Sequence, residues 1–191
     1  MKTLIVGVAI AILYSAFLIF QMDNNLYLIK LEELKAVSNE CSAAALYYDT
    51  CEYREGLKVF NREEGNKAIR HLICNNLKLD ENFFPKVGSY WTDKVGYNVF
   101  YIDDSGFIYE YYNNGYIGRE SFAYGSLYTD PIEGYQKVIT EPTVIVTIVA
   151  GKPKYRLSLL GLQEICAARS SAYEYVRDKG TRDMGTGSLS Q

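Results

Sequence analysis

From Thr3 to Met22 the chain runs for twenty positions without a formal charge, most of them aliphatic or aromatic. At about 1.5 Å of rise per helical residue, such a run reaches about 30 Å, the thickness of a bilayer's hydrocarbon core. The pattern predicts a transmembrane anchor over residues 1–22. Its exit through Phe20, Gln21 and Met22 offers bulky residues where a signal peptidase needs small ones, so retention is expected over cleavage. Val8 to Phe20 contain no acid, so the Glu that follows the cut in a prepilin-type leader is missing after Gly7. Lys2 lies on the short side, and the long side opens with mixed charges at Asp23, Lys30, Glu32, Glu33 and Lys35. By the positive-inside rule this is a single-pass protein with a cytoplasmic N-terminus and an extracytoplasmic domain.

Beyond the span, Asn25 to Tyr48 contain neither Pro nor Gly, and Leu31, Leu34, Val37, Cys41, Ala44 and Tyr48 recur at three-to-four spacing. The charges fall mostly off that stripe. The spacing predicts one continuous or nearly continuous helix from the membrane to about Tyr48, its amphipathic part covering about 25–48. The alternative is a break at Asp23, Asn24 and Asn25 followed by a separate amphipathic helix. The six stripe residues are the candidate assembly interface, through which the helix would bundle with partners or with further copies of itself.

Asp49 to Gly56 is polar and turn-like, and Val59 and Phe60 lead into a capping box in which Asn61 caps and Glu64 reaches back. A second helix is expected over about 61–78, with Ala68, Ile69, Leu72, Ile73 and Leu77 as its apolar face. The segment from Leu79 to Phe84 ends at Pro85, and from there the period changes from helical to alternating. Strands are expected at Tyr97–Ile102, Phe107–Tyr112 and Thr143–Val149, within a sheet covering about 97–176. Asp103 to Gly106 reads as the first turn and Asn113, Asn114 and Gly115 as a tight second one, with Asn and Gly supplying positive φ angles. The nearly unbroken apolar run of Thr143–Val149 marks a central strand buried on both faces. Ala172–Val176 is expected to add a strand, Leu157–Leu162 a connection, and 178–191 a flexible tail. The fold class is therefore α+β: an N-terminal transmembrane helix continuing into a long amphipathic helix packed on a mostly antiparallel sheet, with the extracytoplasmic domain over 23–177.

Composition narrows the functional classes. The net charge is −3, and the first 22 residues contribute only the positive Lys2, so the rest is acidic and offers no footprint for nucleic acid. Cys41, Cys51, Cys74 and Cys166 form an even set in a segment placed outside the membrane, where disulfides are permitted. Four cysteines allow three pairings, and Cys41 and Cys74 would meet if their helices pack antiparallel. A small buried thiol is an equal reading of Cys41. Ten of the eighteen tyrosines lie between Tyr90 and Tyr135, and Tyr109, Tyr111 and Tyr112 are the candidate ligand face for glycan or peptide; the simpler account is a half-wet sheet rich in strand formers.

Candidate chemistry is sparse. His71 and Cys74 stand three apart on the second helix, but both are expected away from its apolar face, an exposed His beside a Cys that is bridged or on the surface. No G-x-S-x-G, no Walker motif and no paired C-x-x-C occurs, and Asp103 to Gly106 lacks the alternating ligands and closing Glu of an EF-hand. The expectation is a protein that is not an enzyme and takes neither cofactor nor metal.

The Ala-rich run LEELKAVSNECSAAALYY, Leu31 to Tyr48, resembles the segment just after the span in the tight-adherence (Tad) pilus-assembly proteins, the minor pilin-like E, F and G group. GLKVFNREEGNKAI (56–69), NNLKLDE (75–81) and EPTVIVT (141–147) are similar to Gram-positive relatives. The basic leader and in-span Glu of some members are absent here. The resemblance implies a membrane-anchored, surface-exposed component of a pilus or pilus-like secretion machine, with other machine subunits as partners and no catalytic residues. The alternative from composition alone is a tethered extracellular recognition domain.

Overall fold

The computed structural model describes residues 2–54, 56–156 and 167–174. The first element, α1, is one helix over Lys2–Ala44, 43 residues long, with no break at Asp23 to Asn25. Its lower part stands free, with Leu4, Ile5, Ile10, Leu13, Tyr14 and Phe17 all exposed. Its upper part is buried at Leu31, Leu34, Val37, Ser38, Cys41 and Ser42. The changeover falls at Asp23, which is only 3% exposed. The helix ends four residues before the expected Tyr48, because the next backbone groups pair sideways. Asn61 N–H donates to the Tyr47 carbonyl, Asp49 N–H donates to the Val59 carbonyl, and Tyr48 bridges Phe60.

The polar stretch expected to be a turn at 49–56 contains a short helix, α2 (Thr50–Arg54), started by Asp49 accepting from the Cys51 N–H. The second long helix, α3, runs over Arg62–Asn76, and Asn61 caps it by accepting from the Glu64 N–H at 3.2 Å. Only half of the expected capping box forms: the Glu64 carboxylate pairs with Lys67 instead of reaching back. At the other end, Lys78 takes a left-handed φ of 55°, Leu79 N–H donates to the Cys74 carbonyl and Lys78 N–H to that of Asn75. This is a Schellman-type end with lysine where glycine is usual. The buried face of α3 is Gly65, Asn66, Ile69 and Ile73, whereas Ala68 and Leu72 are half-buried. The face is rotated toward α1 because Gly65 lets the two helices approach: a Cβ there would lie 2.9 Å from the Ala45 carbonyl oxygen and 2.6 Å from the Tyr101 hydroxyl.

The strands are β1 (Gly96–Ile102), β2 (Phe107–Tyr112), β3 (Gly115–Ser121), β4 (Leu127–Thr129), β5 (Gln136–Val138), β6 (Thr143–Val149) and β7 (Ala168–Glu174). Five of them form one antiparallel sheet in the order β3-β2-β1-β6-β7, and β4 and β5 form a separate hairpin. The unbroken apolar run of β6 sits between β1 and β7 and is buried on both faces, as its composition requires. The β2–β3 turn has positive φ at Asn113 and Asn114, the pair a tight hairpin needs, while Gly115 begins the next strand. The last strand begins four residues earlier than the expected Ala172. Its sequence lacks apolar alternation, and its pairing is set by β6 and by Ser171, whose hydroxyl meets Asn39 and Ser42 of α1. The expected connection 157–162 and tail 178–191 lie outside the described residues.

Two cores flank the sheet. On the helix side, Leu34, Val37, Cys41, Ile69 and Ile73 pack on Tyr97, Val99, Tyr101, Val144, Val146 and Ile148. On the other side, Phe100, Ile102 and Ile145 pack under Tyr128 and Ile139 of the hairpin region. Small polar residues let α1 lie close to the sheet: Ser38 donates to the Val146 carbonyl at 2.7 Å. The fold is α+β, a long apolar N-terminal helix with a mostly antiparallel sheet.

Candidate functional site

Among the described residues, the surfaces left once the cores are assigned include the free lower half of α1 and the outer face of the sheet. The lower half is apolar on all sides, since Leu4, Ile5, Val6, Val8, Ile10, Ile12 and Leu13 are each more than half exposed. Side chains at steps of 100° that are all apolar and all exposed have no stable place in water. The helix is long and apolar enough to cross a membrane.

Most of the candidate assembly interface is buried within the head. Leu31, Leu34, Val37 and Cys41 lie in the helix-side core, Leu34 with no exposure, and Ala44 and Tyr48 are half-buried. A side chain already covered by its own sheet has no surface left for a partner helix. The stripe joins α1 to its own head.

The candidate ligand face is likewise divided. Successive side chains of a strand point to opposite faces, so Tyr109 and Tyr111 share one face of β2 and Tyr112 takes the other. Tyr109 and Tyr111 turn toward the helix-side core, where the Arg62 guanidinium lies 3.8 Å from the Tyr109 ring centroid and the Tyr111 ring meets Tyr101 edge-on at 5.8 Å. Burial raises the Tyr111 phenol pKa, partly opposed by Arg62. Tyr112, 49% exposed, is the one member open to solvent. Alternation along β2 was visible in the sequence; which phase faced the helices was not.

Arg62 also pairs with Asp103 at 3.1 Å, and the fully buried Asp103 carboxylate accepts from the Phe60 and Ser105 N–H groups and the Ser105 hydroxyl. Asp104 accepts from the Lys58 N–H and the Tyr124 hydroxyl. The carboxylates of the Asp103–Gly106 turn thus tie it to the start of α3 and to Tyr124. His71 is exposed with its ring beside Asn75, and Cys74 donates its S–H to the Asp80 carbonyl at 3.3 Å, so the two do not form a dyad. Cys74 is half-buried against the core, contrary to its expected placement away from the apolar face. Cys41, Cys51 and Cys74 are free thiols. The antiparallel approach expected to join Cys41 and Cys74 instead turns Cys41 toward the Ile69 carbonyl. Cys166 lies outside the described residues.

The outer face holds a cleft of about 560 Å³ between β2–β3 and the hairpin, lined by Phe100, Ile108, Glu110, Gly118, Phe122 and Tyr128. Tyr128 is 6% exposed, and its hydroxyl has no hydrogen-bond partner among the described residues. Burial raises its pKa, with Asp130, Tyr135 and Glu110 acting in the same direction. The hairpin is held over the sheet by Asp130, which accepts from the Ile132 and Glu133 N–H groups and from Thr147 of β6 at 2.7 Å. Sequence reasoning missed this cleft, because nothing in the short runs of β4 and β5 indicates which face they cover.

Comparison with protein-family models, curated proteins and solved structures finds no match. The functional reading accordingly rests on these surfaces and on the sequence resemblance.

Proposed function

We propose that this chain is a non-enzymatic, single-pass membrane protein that serves as a pilin-like or pseudopilin subunit of a Tad-type pilus or related secretion machine, with its N-terminus cytoplasmic and its head outside. One observation carries the reading: a single unbroken helix is free and apolar over its lower half and forms the central beam of an α+β head over its upper half. A rigid continuous helix transmits the position of the head to its anchor, as stacking subunits require, whereas a tether needs only a flexible joint. With the upper stripe committed to the head, subunits meet through residues 4–22. Deleting the gene is expected to abolish surface fibres or their export, with restoration by the intact chain. Unchanged fibres, adhesion and secretion in the deletion strain would count against the proposal.

A second reading, a tethered recognition domain for glycan or peptide, is favoured by the outer cleft and its unpartnered Tyr128 hydroxyl. Its test is ligand binding by the full chain in detergent, lost in Glu110→Gln and Tyr128→Phe but kept in Tyr109→Phe.

A further inference from the structure

The segment that leaves β6 runs down α1 toward the end of its uncharged half. Ser38 is bonded to Val146, and fifteen residues lower on the same helix Asp23 accepts the Arg156 N–H at 2.8 Å, with the Arg156 Nε 3.7 Å from its other oxygen. Asp23 is the first residue after the twenty-residue run, so a helix that spans a bilayer brings Asp23 and Arg156 to the headgroup boundary. At about 3.3 Å per extended residue, Lys154 lies within about 7 Å and Lys152 within about 13 Å of that level. Both lysines are exposed, and neither has an ion pair among the described residues. From Pro142 to Arg156 there is no acid. Among the described residues the nearby acids include Asp23, held by Arg156, Asp93, whose side chain would touch a Cβ at Gly151, and Glu33, paired with Lys30 beside Tyr90 and Trp91. The collar is aromatic as well. Tyr27 and Tyr155, both half-buried, have their rings 6.2 Å apart, and half-buried Tyr90 meets edge-on the buried Trp91, whose backbone bridges Pro153 behind them. Basic side chains that reach past their neighbours and amphipathic rings around a membrane exit are the residue types that favour the lipid–water interface.

We propose that Lys152, Lys154 and Arg156, with the aromatic collar beside them, form a docking surface for the headgroups of anionic phospholipids, so that the base of the head rests on the bilayer its own helix crosses. The inference depends on the membrane reading of α1. Charge complementarity selects the occupant, since the exposed charges of this segment are positive and lie within about a Debye length or two of the lipid surface.

The test uses the full chain in phosphatidylcholine vesicles, with and without phosphatidylglycerol, and the chain's single Trp, Trp91, as reporter. Lipids carrying a nitroxide headgroup should quench Trp91 about twofold more strongly when phosphatidylglycerol is present, and Lys152→Glu with Lys154→Glu should remove the difference. Equal quenching of the wild-type chain in both lipids overturns the proposal, whatever the variant does. Flotation with the vesicles after an alkaline wash reads the anchor separately: a chain that floats but shows no lipid-dependent quenching refutes the docking surface alone, and one that fails to float refutes the span.

Discussion

Cys41 has no exposure in the contact between α1 and α3, and burial pushes its thiol pKa from an ordinary 9.0 to about 12, with Glu40 adding to the rise. Below pH 9 the thiol is protonated in the folded and the unfolded chain, and its contribution to stability is complete. Between about pH 9 and 12 only the unfolded chain gives up the proton, so stability falls as pH rises through that window. The buried phenols of Tyr97, Tyr101 and Tyr128, all raised by burial, act with the same sign. Melting temperatures of the detergent-solubilised chain are therefore expected to be level near neutrality and to fall above about pH 9. Alkylation mapped by mass spectrometry at pH 8 should find Cys51 modified first, Cys74 slowly and Cys41 only on unfolding; early modification of Cys41 would contradict its placement. The stripe position of Cys41 was legible in the sequence, while its state as a free thiol needed the Ile69 carbonyl and the Tyr97 side of the core to be in place.

At the scale of elements, the stripe of α1 lies against the sheet and α3, as the expected packing of the long helix on the sheet requires, and the residues offered for assembly are mostly buried there. A stripe at three-to-four spacing says that one face of a helix is covered, but not by what. Here β6, β7 and α3 cover it, using Ser38, Ser42 and Gly65 as points of close approach. Leu34→Ala distinguishes the two uses of the stripe. As a core residue with no exposure, Leu34 should cost the head about 2–5 kcal/mol of stability when truncated. Denaturant unfolding of the variant checks this, and crosslinking between neighbouring anchors should be unchanged. Normal stability with lost association would return the stripe to an intermolecular role. The same lesson holds for β2, where Tyr109 and Tyr111 joined the core and Tyr112 did not. Turns were more legible than faces: Asn113 and Asn114 adopt their positive φ for local reasons, independent of what packs above them.

For the molecule as a whole, anchor and head divide at Asp23, although one helix runs through both. Side chains at 4–13 are exposed and the core begins at Leu31. Removing residues 1–22 should thus release the chain from the membrane and leave the head's melting transition within a few degrees of the full chain in detergent. Circular dichroism and membrane fractionation of the truncated chain check both, and loss of the transition would show that the anchor half supports the core. The length of the uncharged run, the helical period through Cys41, the two-residue period of β1 and β2, the unbroken apolar run of β6 and the tight turns were all determined by the sequence, because each depends on neighbours a few residues away. The covered face of α1, the outer cleft and the basic collar were decided only by tertiary structure. They arise where Ser38 meets Val146, Thr147 meets Asp130 and Arg156 meets Asp23, and two of these contacts join residues more than a hundred positions apart. Local pattern tells a side chain that it must be buried, but the partner that buries it is chosen by the assembly of elements distant in the chain.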